Sequence, residues 1–340
     1  MSDGSPASFF GPISDGMASV DRVIRARLQS AVPLIEQVGD YIISGGGKRI
    51  RPALLLLTAG ALQADLEARG AWTGRPRLTE APEVHELAAI VEFIHTATLL
   101  HDDVVDESSL RRNRQTANAL FGNAASVLVG DFLYSRAFQM MLSCQSLPVM
   151  AVLADATNVI AEGEVLQLLN CQDPDVDEAR YLQVIRYKTA KLFEASACLP
   201  AVLAECPPDL VERMGAVGRH LGTAFQLTDD VLDYDGDESV MGKQLGDDLR
   251  EGKPTLPLIL LMAQSSPAER EVLRQAIVEP ETAEVEAIIQ RVRSSGVLAA
   301  TWDAARAECD LARAALQPLA PSVHKASLLD LLSFITSRRQ

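Results

Sequence analysis

Aromatic side chains make up only 5% of the 340 residues, although 48% are hydrophobic. With Ala and Leu dominating the apolar set, the core favours helices over sheets, because aromatic and β-branched side chains are the ones that suit a pleated surface. Convincing period-2 alternation is absent as well. Cationic residues are in deficit, 31 Lys and Arg against 46 Asp and Glu, for a formal net charge of −15. That balance speaks against nucleic acid as a partner, which needs a basic stripe. It leaves room for a small anion held in a local basic pocket. The five cysteines, Cys144, Cys171, Cys198, Cys206 and Cys309, are scattered, odd in number and without C-x-x-C spacing. A disulfide framework or zinc site is therefore not expected, and buried free thiols in a reducing compartment are. No apolar run reaches the roughly 20 residues a membrane-spanning helix requires. The first 16 residues are rich in Gly, Ser and Pro and lack the regions of a secretory signal. The expectation is a cytoplasmic protein with a flexible tail over 1–16 and a single helical domain over 17–340.

What is present is helical periodicity. From Leu210 to Val231, apolar positions recur in alternating steps of four and three, a seam on one helix face. Further helices are expected at about 17–43, 53–66, 83–108, 124–142, 147–170, 176–197, 255–264, 282–293, 297–316 and 324–337. Gly45-Gly46-Gly47 punctuates one helix end, and Pro52 suits the first turn of the next. The stretch from Gln63 to Pro82 reads as a surface excursion.

One chemical pattern occurs twice: Asp102-Asp103-Val104-Val105-Asp106 and Asp229-Asp230-Val231-Leu232-Asp233. Each lies late in an apolar helix. Residues four apart share a helix face, so Asp102 projects with Asp106 and Asp229 with Asp233. Crowded carboxylates near a helix C-terminus oppose the macrodipole and demand a cation. Mg2+ suits them, since it takes one or two carboxylates together with substrate phosphates. A single cluster could be a solvated acidic helix end; two clusters in apolar helices point to metal-bridged diphosphate.

A diphosphate also needs protein cations. Gly45-Gly46-Gly47-Lys48-Arg49-Ile50-Arg51-Pro52 offers a turn, three cations and a helix start, although it lacks the P-loop pattern. His95 precedes Asp102 by two helical turns. Arg111 and Arg112 follow the first cluster at once, where bidentate contacts to phosphate suit them. Lys188-Thr189 lies mid-helix. Gln226 precedes the second cluster by three residues, and Lys243 and Lys253 flank Asp247-Asp248. Each lysine alone reads as a surface charge; together they form a cationic wall facing the acidic one.

Gly46–Pro52, Glu92–Asp103 and Gly222–Asp230, supported by Phe121–Asp131 and Ala161–Glu164, resemble the trans-polyprenyl diphosphate synthases, a likeness running from about residue 20 to the end. The resemblance implies an all-α bundle of long helices around a deep cavity, usually in a homodimer, with two or three Mg2+ ions around the bound diphosphate. It implies Mg2+ ligation by Asp102, Asp106 and Asp229, with Asp103, Asp230 and Asp233 in support (Asp233 also counted with the ligands). It implies Arg111, Lys188, Thr189, Gln226, Lys243 and Lys253 on an allylic diphosphate such as farnesyl diphosphate, and Lys48, Arg51, His95 and Arg112 on isopentenyl diphosphate. Asn113 stands where the family often has Gly. The reaction implied is ionisation of the allylic diphosphate and attack by isopentenyl diphosphate, with water excluded.

Product length in such an enzyme follows tunnel depth. Ala97 lies five residues before Asp102, about 7.5 Å along the helix. The small Ala97 and Thr98 should let the chain grow past them, and Phe138, Met140 and Met141 are floor candidates, Met141 foremost. The expected product is around eight isoprene units, an octaprenyl chain of the kind used for quinone side chains. The runner-up is a geranylgeranyl diphosphate synthase. Terpene cyclases lack the Gly-Gly-Lys-Arg segment and the repeated D-D-x-x-D. A non-catalytic partner subunit of a prenyl synthase would be expected to have lost aspartates.

Overall fold

The computed structural model describes residues 7–45, 47, 49–111, 114–236 and 244–338. Its elements are helices almost throughout; the one strand pairing among the described residues is a two-residue ladder, Leu110–Arg111 against Arg114–Gln115.

In chain order the helices are α1 (Ala7–Phe10), α2 (Ser14–Leu28), α3 (Pro33–Ser44), α4 (Ile50–Ala68), α5 (Pro82–Val105), α6 (Ala117–Phe121), α7 (Asn123–Ser143) and α8 (Leu147–Asn170). They continue as α9 (Glu178–Ile185), a π-helical turn (Arg186–Ala190), α10 (Lys191–Leu203), α11 (Pro208–Asp235) and α12 (Asp247–Arg250). The last five are α13 (Leu256–Gln264), α14 (Pro267–Val278), α15 (Val285–Ser294), α16 (Val297–Leu316) and α17 (Val323–Ser337).

The centre of the bundle is α4 and α5. Every residue of α4 from Pro52 to Gln63 is buried, and α5 is buried on most of its circumference from Val84 to Leu100. Helices apolar all round belong in an interior, surrounded by amphipathic ones. α5 packs on α7, α4 on α10, and α11 lies between α10 and α16. Side chains at the helix starts satisfy orphan N–H groups: Ser146 accepts from Val149, Asp177 from Arg180 and Ser322 from Lys325, and Ser266 forms a capping box with Glu269.

Several sequence expectations shift. Within the tail expected over 1–16, the chain is already helical at Ala7, and Phe9 is buried and packs its ring 5.5 Å from Phe334 of α17, while residues 1–6 lie outside the described residues. The helix expected over 17–43 is two helices, broken before Pro33. Proline disfavours helical geometry in the residue before it, and Val32 is extended. The excursion expected from Gln63 begins only at Arg69, since Gln63 is a buried helix residue whose Oε1 accepts the Leu78 N–H. The helix expected over 176–197 is interrupted by the π turn. α14 was not among the expected helices, although Ser266-Pro267-Ala268-Glu269 carries its capping box.

Candidate active site

α5 and α11 both end at the same rim of the bundle. Asp102 and Asp103 lie in the last turn of α5, with Asp106 at its C-cap. The Asp106 N–H still donates to the Asp102 carbonyl at 2.8 Å, so the four-residue spacing keeps both carboxylates on one side. Asp102, Asp106 and Asp230 line one cavity of about 190 Å3, together with Lys188, Thr189, Gln226, Asp248 and Lys253. Members of both aspartate clusters thus meet Lys188 and Lys253 at one cavity, although the clusters lie more than 100 residues apart in the chain.

The π turn positions the central cation. One extra residue per turn widens the helix at Lys188-Thr189, a distortion that occurs often at functional sites. Lys188 Nζ reaches Glu164 at 2.5 Å and Asp102 at 3.2 Å. Thr189 Oγ1 donates to Gln226 Oε1 at 2.9 Å, and Gln226 Nε2 donates to Asp230 Oδ1 at 2.8 Å. On the far wall, Lys253 Nζ lies 2.9 Å from Asp106 and 2.6 Å from Glu251.

The electrostatics record the crowding. Burial, then the charge of Asp102, pushes the Glu164 carboxyl up to about 7 against the pull of Lys188. Asp230 is pushed up to about 8 by burial and by Asp248, opposed by hydrogen bonds from Tyr181 (2.5 Å) and Gln226. Burial alone would lower Lys188 and Lys253, but the surrounding carboxylates outweigh it and raise both. An excess of carboxylate over cation in a partly buried cavity is a setting that a divalent ion relieves. Among the described residues no three acidic or imidazole side chains converge to cage an ion by themselves. Mg2+ needs no such cage, because phosphate oxygens and water complete its shell. The all-oxygen donors of Asp102, Asp106 and Asp229 therefore fit it.

Not every predicted residue keeps its expected place. Asp103 is buried and clamped by Arg111, whose Nε and Nη2 lie 2.9 and 2.7 Å from Oδ1, while Asn118 donates to its carbonyl. It pins the turn after α5, and Arg111 is engaged with it. Asp233, expected among the metal ligands, is fully buried; its Oδ2 accepts the Asp248 N–H at 3.3 Å and its carbonyl accepts the Gly246 N–H. The chain 244–253 folds over that face of α11, which turns Asp233 into an anchor for α12. Asp229 sits at the outer edge, 3.0 Å from Arg338. Arg51 and His95 are neighbours at 3.1 Å beside Phe193. Lys48, Arg112 and Lys243, with Asn113, lie outside the described residues.

Of the chain-length candidates, Ala97 and Met141 are buried, and the Thr98 hydroxyl bonds back to the His95 carbonyl. Phe138 must be removed from the floor of any interior tunnel: it is 42% exposed. The inward stripe of α7 runs through Ser126, Val129, Leu133, Ala137, Met140 and Met141, and Phe138 points off it. Glu164, Glu251, Asp248, Tyr181 and Arg338 had no assigned role in the sequence. Ala161-Glu162-Gly163-Glu164 was visible as a motif, but only the fold brings Glu164 to Lys188.

Comparison with known proteins places the whole chain among relatives. The chain is 49% identical over 323 residues to octaprenyl diphosphate synthase of Escherichia coli (strain K12), covering 95% of both chains. It is 40% identical to an all-trans-nonaprenyl-diphosphate synthase (geranyl-diphosphate specific) of Rhodobacter capsulatus, covering 97% of both. The crystal structure of a polyprenyl synthase from Caulobacter crescentus, complexed with calcium and isoprenyl diphosphate, superposes with a TM-score of 0.91 at 42% identity over the full length of both chains. Residues 32–293 match the polyprenyl synthetase family model, and with that span, these relatives and the paired aspartate helices, the chain belongs to the polyprenyl synthetase family.

Proposed function

We propose that this chain is a Mg2+-dependent prenyltransferase that adds isopentenyl diphosphate units to an allylic diphosphate and releases an all-trans octaprenyl diphosphate. The main support is the meeting of Asp102, Asp106 and Asp230 with Lys188 and Lys253 at one cavity. Lys188, Thr189, Gln226 and Lys253 would hold the allylic diphosphate between the clusters, and Arg51 and His95 the isopentenyl diphosphate. Lys48, Arg112 and Lys243 are proposed for the same anions from sequence alone. Asp102, Asp106 and Asp229 would hold Mg2+, which would neutralise the charge that grows on the leaving diphosphate. Lys188 and Lys253 add fixed positive charge where burial strengthens it. The apolar walls of α4 and α5 below the rim would shield the allylic cation from water.

An eight-unit product is supported by 49% identity to the octaprenyl enzyme against 40% to the nonaprenyl one. It is also supported by the small Ala97 beneath Asp102. The test is mass spectrometry of products from farnesyl and isopentenyl diphosphates with Mg2+. A C40 product is expected, lost on adding a chelator, and Ala97→Tyr should shorten it; a C15 or C20 product from the wild type would remove the long-tunnel reading in favour of a short-chain synthase.

We also propose a homodimer. Leu120 on α6, Leu128 and Leu142 on α7 and Leu147, Leu168 and Leu169 on α8 are all exposed, on three helices consecutive in the chain. Large apolar side chains left uncovered in such number support an interaction site on these helices. Sedimentation at micromolar concentration should give twice the chain mass, and a monomer there would reject the dimer.

A further inference from the structure

Arg338 follows α17, far in sequence from either aspartate cluster, yet its Nη1 lies 3.0 Å from Asp229 Oδ1. The side chain is 10% exposed, so this is a seated contact and not a waving surface charge. Its guanidinium also lies over the Phe225 ring, 4.8 Å from the centroid. Phe225 precedes Asp229 by four residues, so ring and carboxylate present one face of α11 to the guanidinium. Phe225 in turn packs 5.5 Å from Phe193, and the Arg51 guanidinium lies over the Phe193 ring, 4.4 Å from its centroid. The aromatic pair thus carries an arginine on each side, one at the second aspartate cluster and one beside His95.

We propose that Arg338 is the resident counter-ion of Asp229 and competes with a divalent cation for the same carboxylate oxygen. This rests on the reading of Asp229 as a metal ligand. A guanidinium 3.0 Å from Oδ1 occupies the approach that an ion would need, so one must leave for the other to bind. Linkage makes the competition reciprocal: whatever factor Arg338 takes from cation affinity, the cation takes from the docking of Arg338. Metal uptake would then loosen the chain after α17 from the rim, while the Phe225 face keeps the freed guanidinium close to incoming diphosphate. Arg338 is in this sense a positioning residue that guards the second cluster.

The test uses the full chain stripped by chelator and titrated with Mn2+, with the free ion counted by electron paramagnetic resonance. Arg338→Gln should tighten the site that Asp229→Asn removes by roughly fivefold, the upper range for a partly exposed ion pair. In the Asp229→Asn background, Arg338→Gln should change nothing. Arg306→Gln, an exposed arginine on α16, sets the background for merely deleting a positive charge. In the unaltered chain, Mn2+ should speed hydrogen exchange over 330–338. If Asp229→Asn abolishes a Mn2+ site whose affinity Arg338→Gln leaves unchanged, or changes no more than Arg306→Gln does, the competition is overturned. If Asp229→Asn leaves every Mn2+ site intact, it is the ligand reading of Asp229 that fails.

Discussion

Asp102→Asn should lower kcat/KM for the allylic diphosphate about a thousandfold, the scale of roughly 4 kcal/mol of lost charge stabilisation at a reacting anion. Asp102 lines the cavity and lies 3.2 Å from Lys188, so on the proposed reading its carboxylate would serve ion and lysine together. The amide removes the negative charge while keeping the shape. The fold should not suffer. Asp102 is a cause, after burial, of the upward push on Glu164, so the crowd of carboxylates is less strained with one charge fewer. The expected signature is a large loss of turnover at saturating Mg2+ with a melting temperature equal to or above that of the wild type. Steady-state assays with farnesyl and isopentenyl diphosphates, paired with thermal unfolding, read both quantities. A loss smaller than tenfold would take Asp102 out of the proposed metal site.

The make-up of this candidate site is largely legible in the sequence, because its chemistry is written in local patterns. D-D-x-x-D spacing on an apolar helix states which carboxylates share a face, and Lys188-Thr189 and Gln226 could be picked out by their places in recognisable motifs. What could not be read was contact between distant segments. Nothing near Glu164, Tyr181 or Arg338 says that each will touch Lys188, Asp230 or Asp229. Asp233 shows the opposite failure. Its spacing from Asp229 is right, but the returning chain at Gly246 and Asp248 covers it, and spacing alone carries no knowledge of what will lie on top. The fold behaves similarly. Long apolar helices such as α5, α8 and α11 were plain, while the break at Val32 and the π turn at Arg186–Ala190 depend on a proline's sterics and on neighbouring helices.

The π turn is also a place where a single methyl group should damage the candidate site. Gly163 lies inside α8, where helix propensity alone would favour alanine by about 1 kcal/mol. Packing reverses that. A Cβ at Gly163 would sit 2.6 Å from the Lys188 backbone nitrogen and 2.9 Å from Tyr187 Cβ. The first distance is roughly 0.8 Å below the 3.4 Å at which ordinary contact begins. The obstacle is backbone, which cannot swing aside as a flexible side chain could. On its other side the turn is hemmed by Gly222 of α11, where a Cβ would meet Ala190 Cα at 2.7 Å, so the turn has no slack to retreat into. Gly163→Ala should therefore displace Lys188 and Thr189 from Asp102 and Gln226. Misplacing a catalytic group by about 1 Å can cost on the order of a hundredfold in rate. Overpacking should lower stability by about 1–3 kcal/mol, less the propensity gain. The loss should fall on kcat and on KM for the allylic diphosphate, while KM for isopentenyl diphosphate, proposed for Arg51 on α4 and His95 on α5, should change little. A Gly163→Ala enzyme with wild-type kcat would mean that the π turn tolerates the shift, and that Lys188 is not held in register by its close approach to α8.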